Sequence, residues 1–269
     1  MAGVSSIFEE LRLSFVQAVV ACRAEPSTKA VHSVRTGSRR LEALLRKVGE
    51  DHPQAAGLHR ALKGTLKELG RIRKAAGAVR DLDVQMGLAE EVADELRFRK
   101  RGAVREGITD EYERLERYLK RRRKRRGEDL VAELEKSELK MERSLERIAG
   151  EIEGLTSQVP SLLETARRWT RETAAKMGEL NEGNLHEYRK RTKAARYVAE
   201  EQEGSAVARR FAAELRRVQD VIGAWHDWAL LSELAEGVLG ADAAVTVAMM
   251  VRREGSLKVA LRVQRRPPR

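Results

Sequence analysis

A single cysteine, Cys22, stands in 269 residues. No disulfide can form within the chain and no cysteine-rich zinc site can be assembled, which fits a reducing compartment. Aromatic side chains make up only 4% of the residues, so there are few platforms on which single-stranded nucleic acid could stack. Prolines number five, and alternating β-branched runs are missing, so strands have little to form from. No apolar run approaches the ~18 residues that a membrane span requires. The first segment lacks a basic leader and carries Glu9 and Glu10; no secretory signal is expected, and the expected location is cytoplasmic. A glycine-rich phosphate loop, a nucleophile elbow and a His-x-x-x-His pair are also lacking, so the chain is expected not to be an enzyme and to need no cofactor.

Charge, by contrast, is abundant. Lys and Arg number 53 against 42 Asp and Glu, giving +11 and a pI near 10, a balance that favours polyanionic partners. The excess sits in residues 1–126, with 29 basic and 18 acidic side chains, and the remainder is neutral with 24 of each. Bulk charge therefore cannot draw an anion to the second half; local placement must.

Apolar residues recur at three- and four-residue spacings almost throughout, which predicts an all-α fold. Ile7, Phe8, Leu11, Phe15 and Val19 form the apolar face of a first helix. A second starts near Ser27 or Thr28, both good caps, and runs to about Val48. A third spans Gln54 to Ala76 with Gly77 as its stop, and a fourth starts at Asp81 and continues towards Arg101. Ile108 to Arg126 and, after Gly127, Asp129 to Ile152 follow. Residues 150–160 interrupt the periodicity and mark the best boundary, between a half at 1–153 and a half at 161–269. Beyond it lie a helix with Leu162, Leu163, Ala166, Trp169 and Met177, another from Leu185, and one from Ala206 to Ile222 that Gly223 ends. Trp228 to Leu239 and Ala241 to Leu261 complete the set. Pro26, Pro53 and Pro160 precede helix starts, and Pro267 and Pro268 end the chain.

Within this pattern one stretch is repeated. Val31 to Lys47 reads VHSVRTGSRRLEALLRK, and at an offset of 154 residues His32 meets His186, Arg35 meets Arg189, and Arg39 meets Lys193. Positions i, i+3 and i+7 of a helix fall within roughly 60° of one another, so each set forms a stripe. Arg46 extends the first stripe and Arg196 the second. Like charges at this spacing repel, which points to an anionic partner. A second motif repeats at an offset of 146: Leu69, Arg71, Gly77 and Asp81 match Leu215, Arg217, Gly223 and Asp227. Two motifs in the same order imply an internal duplication, with the halves facing each other as two helical bundles.

A His-x-x-Arg-x-x-x-Arg-Arg helix, followed by a Leu segment ending Gly-x-x-Arg-Asp-x-Asp and echoed in a second half, resembles the CHAD family, the conserved histidine α-helical domain. The resemblance runs from the first helix to about Leu239. It implies two pseudo-twofold-related bundles of roughly four helices each, with a basic groove or pore that binds inorganic polyphosphate. The residues carried over are His32, Arg35, Arg39 and Arg40 in the first half, His186, Arg189, Lys193 and Arg196 in the second, and Arg80 in the Gly-Ala-Val-Arg-Asp-Leu-Asp segment. Arg71 stands where the family often has Trp, Ala76 where it has Leu, and His226 where the second half usually has Asn. Relatives are sometimes joined to a β-rich triphosphate-hydrolysing domain with a Glu-x-Glu-x-Lys strand, and that motif is missing here.

The expectation is thus non-catalytic polyphosphate binding, with a place at polyphosphate granules implied by the resemblance alone. Lys63, Lys67, Arg71, Arg210 and Arg217, on the same predicted helices, complete the candidate set. Two alternatives stay open: a basic nucleic-acid-binding protein, and a metal-dependent phosphohydrolase in which His32, His186 or His226 meets Asp81 or Asp227. Asp81, Asp83 and Asp227 otherwise cap helices or hold arginines. The run Lys120 to Arg126 is the most basic segment and is either an auxiliary polyanion contact or a solvated helix end. Trp169, Trp225 and Trp228 have the spacing of core residues.

Overall fold

In a computed structural model that describes residues 4–155, 161–202 and 204–263, every regular element is an α-helix. Eight occur among the described residues: α1 (Val4–Ala24), α2 (Thr28–Asp51), α3 (Ala56–Arg99), α4 (Gly102–Glu153), α5 (Leu162–Met177), α6 (Leu185–Glu200), α7 (Ala206–Leu239) and α8 (Ala244–Val263). Their starts are chemically marked. The Ser27 hydroxyl accepts from the Ala30 amide and begins α2, and Ser205 does the same for Ala208 at α7. Ser161 and Glu164 form a reciprocal capping box at α5. Pro26 and Pro53 lie just before α2 and α3, as their chemistry predicts. Pro160, Pro267 and Pro268 lie outside the described residues.

Three predicted breaks are absent. Gly77, Gly127 and Gly223 lie inside the continuous helices α3, α4 and α7, and Asp81, one turn beyond Gly77, is mid-helix and caps nothing. A helical glycine costs about 1 kcal/mol relative to alanine, and at Gly223 it makes room for a neighbour. A Cβ on Gly223 would lie 2.6 Å from Arg189 Nη2, and one on Gly77 would lie 3.8 Å from Arg35 Nε. Gly127 is buried between the Arg123 side chain and Pro26. With no break, α4 extends over 52 residues, roughly 78 Å.

The core does not divide at the boundary near residue 155. Its largest cluster joins α1, α2, α3 and α4 through Phe8, Phe15, Leu41, Leu45, Leu69 and Leu145, and it also takes in Tyr197 and Val198 of α6. A second cluster packs Leu82, Val92, Leu115 and Leu119 of α3 and α4 against Trp228, Leu231, Val245 and Met249 of α7 and α8. Fully burying a leucine such as Leu115 stabilises by about 1.5–3 kcal/mol, so this seam binds the halves firmly. Smaller clusters hold α5, α6, α7 and α8 together around Leu185, Ile222 and Trp225, and around Ala195, Phe211 and Leu215.

The repeated stripes fall on α2 and α6, and these two helices pack against each other. Polar contacts fix them. Arg40 Nε donates to Glu201 at 2.7 Å, while Glu50 of α2 accepts from Arg168 Nη2 at 2.7 Å and from Trp169 Nε1 at 2.8 Å on α5. The second repeated segments lie on α3 and α7, one on either side of that pair. No described helix is long and apolar enough to cross a membrane.

Candidate functional site

Where α2, α3, α6 and α7 converge they leave a cleft of about 850 Å³. Helix α2 contributes Arg35, Arg39 and Arg46, a row at four- and seven-residue steps, and α3 contributes Arg73, Lys74 and Arg80. From α6 come His186, Arg189, Lys190, Arg191 and Lys193, and from α7 His226 and Asp227. Ten Lys and Arg side chains thus face four carboxylates, Glu42, Asp81, Glu187 and Asp227. The surplus is concentrated, because the carboxylates are already engaged. Glu42 pairs with Arg46 at 2.8 Å and also with Arg73. Glu187 pairs with Lys190 and Arg191, each at 2.9 Å. Asp81 lies 3.9 Å from Arg35.

In the middle of the cleft, burial and crowding of like charges work against the charged forms. Burial, then Arg35, pushes Arg39 down to about 10, and burial followed by Arg189, Arg39 and Arg35 pushes Lys193 down to about 5. Burial also lowers Arg73, with Arg35 adding to it. Arg189 is lowered by burial and partly restored by Asp227; its Nε donates to the Gln219 carbonyl at 2.9 Å. The Nε atoms of Arg35 and Arg39 are buried with no hydrogen-bond partner. A buried cation without a counter-charge is costly, so an anion in the cleft would offset repulsion already present.

The histidines occupy different settings. His186 and His226 are in tilted ring contact, with centroids 4.0 Å apart and planes at 40°. Burial first holds both at about 4, with the partner ring and then Lys190, Arg189 and Lys193 adding to it at His186, and Arg189 and Lys193 at His226, so each is neutral at pH 7. His32 does not line the cleft. It sits at the edge, lowered by burial and then by Arg80 and Arg35.

Of the residues picked out from sequence, the structure brings Arg35, Arg39, Arg46, Arg80, His186, Arg189 and Lys193 into the cleft. Others are engaged elsewhere. Arg40 pairs with Glu201 and Arg71 with Glu68, while Arg196 pairs with Glu200 and lies 4.5 Å over the Tyr197 ring. Lys63, Lys67, Arg210 and Arg217 are on exposed helix faces away from the cleft. Missing from the sequence selection were Arg73, Lys74, Lys190 and Arg191. Arg73 had a readable signal: with α3 unbroken, Arg73, Gly77 and Arg80 stand at i, i+4 and i+7 on one face.

The basic run on α4 is partly internal. Arg123 donates to Asp83 at 3.0 Å and to the Pro26 carbonyl at 2.6 Å, tying α4 to α3 and to the start of α2. Lys120 pairs with Glu116 and Arg126 with Asp129, leaving Arg121, Arg122, Lys124 and Arg125 exposed. Asp83 therefore holds an arginine, one of the two roles its sequence context predicts. Trp225 and Trp228 are buried, and Trp169 packs at the edge of the core. Among the described residues no group of His, Cys, Asp and Glu is arranged to hold a metal ion.

Fold and cleft together define a class: an all-helical protein with a cationic cleft between two histidine-bearing helices. The chain belongs to the CHAD family, whose domain model matches residues 7–236. Among solved structures it is similar to the CHAD domain from the plant Ricinus communis, at TM-score 0.67 and 16% identity over 98% of this chain and 92% of that one. It is also similar to PptA from Streptomyces chartreusis, at TM-score 0.64 and 14% identity over 97% and 96% of the two chains. At these identities the likeness speaks for the fold. No curated protein sequence matches the chain.

Proposed function

We propose that this protein binds inorganic polyphosphate in the cleft and does not turn it over. The observation that carries the reading is the excess of ten Lys and Arg over four carboxylates, with Arg39 and Lys193 buried among other cations. A linear polyphosphate carries about one negative charge per phosphate and presents nothing to stack upon. The cleft matches that chemistry, since its ring-bearing lining residues are Tyr197 and the two histidines. Guanidinium groups offer paired hydrogen bonds to phosphate oxygens, while Lys193, neutral in the empty cleft at pH 7, would become a compact charge beside a bound phosphate. Arg35, Arg39, Arg73 and Arg80 approach from one side and Arg189 and Lys193 from the other, so successive phosphates would be gripped alternately. The duplicated motifs are read as the origin of this two-sided grip, and a place at polyphosphate granules in the cytoplasm would follow from the binding.

The test compares long-chain polyphosphate with duplex DNA of matched charge at moderate salt, following orthophosphate release in the same samples. Preference for polyphosphate with no release is the expected result. Preference for DNA would replace the reading by nucleic-acid binding. Metal-dependent release that persists through purification and disappears in Asp81→Asn or Asp227→Asn would make the protein a phosphohydrolase.

A further inference from the structure

The counterpart of Arg80 in the second half is a histidine. At the offset of 146 residues that relates the two Leu-to-Asp segments, Arg80 of α3 meets His226 of α7. His32 therefore neighbours a permanent cation, whereas His186 lies against a second imidazole, tilted, at 4.0 Å between centroids and 40° between planes. The Nδ1 atom of His186 is buried with no hydrogen-bond partner. Buried polar atoms are normally paired, so this one leaves a hydrogen-bonding capacity unmet at a residue that lines the cleft. The pair shares the cleft lining with Glu187, Arg189, Lys190 and Lys193 of α6, Asp227 of α7, Arg35 and Arg39 of α2, and Arg80 and Asp81 of α3; of these, Arg189, Lys190 and Lys193 act on it most directly. Helix α8 adds only Leu257, Ala260 and Leu261 to the adjoining apolar cluster.

Resting on the polyphosphate reading above, we propose that the His186–His226 pair is a proton-coupled recognition point, receiving a phosphate oxygen and taking up a proton as that oxygen arrives. The proton comes from solvent and adds to an imidazole nitrogen; no bond of the polymer breaks. In the empty cleft both rings are neutral, because burial and the surrounding cations hold them near 4. A phosphate oxygen reverses the balance, since a nearby negative charge and an accepted hydrogen bond both favour the imidazolium. The second half thus gains its cation only with the anion present. The first half, with Arg80, is charged throughout.

The imidazole Cε1–H resonances of the wild-type protein are followed by NMR from pH 4 to 8, with and without saturating long-chain polyphosphate, in which end groups are rare. Titration midpoints of His186 and His226 should move up by about two pH units on saturation. Polymer affinity should rise about tenfold from pH 7.5 to 5.5, a change of ~1.4 kcal/mol. His226→Arg, which installs the first-half arrangement and keeps Lys193, should show a shallower pH dependence and tighter binding at pH 7.5. Polymer that binds while both midpoints stay fixed would overturn the proton coupling alone. Absence of polymer binding at every pH would overturn the functional reading and this inference together.

Discussion

Arg189 crosses α7 over Gly223: its Nε donates to the Gln219 carbonyl at 2.9 Å, and a methyl group on the glycine would stand 2.6 Å from Nη2. Gly223→Ala should therefore dislodge the guanidinium and weaken polyphosphate binding about tenfold, the equivalent of one lost charge-assisted contact at ~1.4 kcal/mol. The helix itself would gain from the change by roughly 0.5–1 kcal/mol. Gly77→Ala is the control, since its added Cβ meets Arg35 at an ordinary 3.8 Å. Isothermal titration and thermal melts of both variants should show affinity lost only at Gly223 and stability gained at Gly77. Unchanged affinity in Gly223→Ala would mean that the position of Arg189 does not matter.

The same two glycines explain what was legible in the sequence. Ser27, the Leu162 and Leu185 helix starts and the His-Arg stripes could be read because capping chemistry and helical periodicity are local. Gly77 and Gly223 read as stops because a glycine that ends a helix and one inside it look alike in sequence; at Gly223 the passing Arg189 side chain supplies the reason for the glycine, whereas at Gly77 a Cβ would meet only ordinary contact. A stop at Gly77 separates Arg73 from Arg80 and hides their common face, while the repeat that matches Arg71 with Arg217 points to a residue that pairs with Glu68 outside the cleft. Arg40 was equally invisible as a structural residue, since its partner Glu201 lies 161 positions away.

Charge reversal should distinguish the cleft from the exposed faces. Arg35→Glu or Arg189→Glu is expected to abolish polyphosphate binding with helical circular dichroism unchanged, whereas Arg217→Glu should leave affinity within about twofold because surface ion contacts contribute little. If six cations each release 0.7–0.9 of a counterion, the wild-type affinity should fall with salt at a log–log slope of roughly −4 to −5. A slope near zero would remove the electrostatic basis of the site.

Stability of the ligand-free protein should rise with pH between about 6.5 and 9. Lys193 is held at about 5, far below the ~10.4 of an unfolded lysine, so over that interval the unfolded chain binds the extra proton and the folded state is favoured as pH increases. His186 and His226, at about 4, contribute in the same direction only up to ~6.5. Above ~9 the buried Cys22 thiol, pushed up to about 11, opposes the trend. Lys193→Met should flatten the profile of melting temperature against pH, raise stability at pH 7 and weaken polymer binding. A profile identical to that of the wild type would show that the fold does not hold Lys193 unprotonated.

Cys22 should act as a reporter of unfolding. It is fully buried in the α1–α4 core and its thiol is held protonated by burial, so thiolate reagents have neither access nor nucleophile. Labelling by a disulfide reagent at pH 8 should proceed at the opening rate of the fold and slow further when polyphosphate is added. Rapid labelling of the native protein would contradict the burial.

The apolar seam between the α3–α4 hairpin and the α7–α8 pair has a bearing on how such a molecule can be taken apart. Because Leu115 and Leu119 share their packing with Trp228 and Met249, a polypeptide cut between Leu155 and Ser161 would remain one particle. Two fragments synthesised separately would meet through greasy surfaces that neither can hide alone. Only their reunion would recreate the electropositive channel, so the protein has the makings of a split sensor in which assembly and ligand capture are the same event.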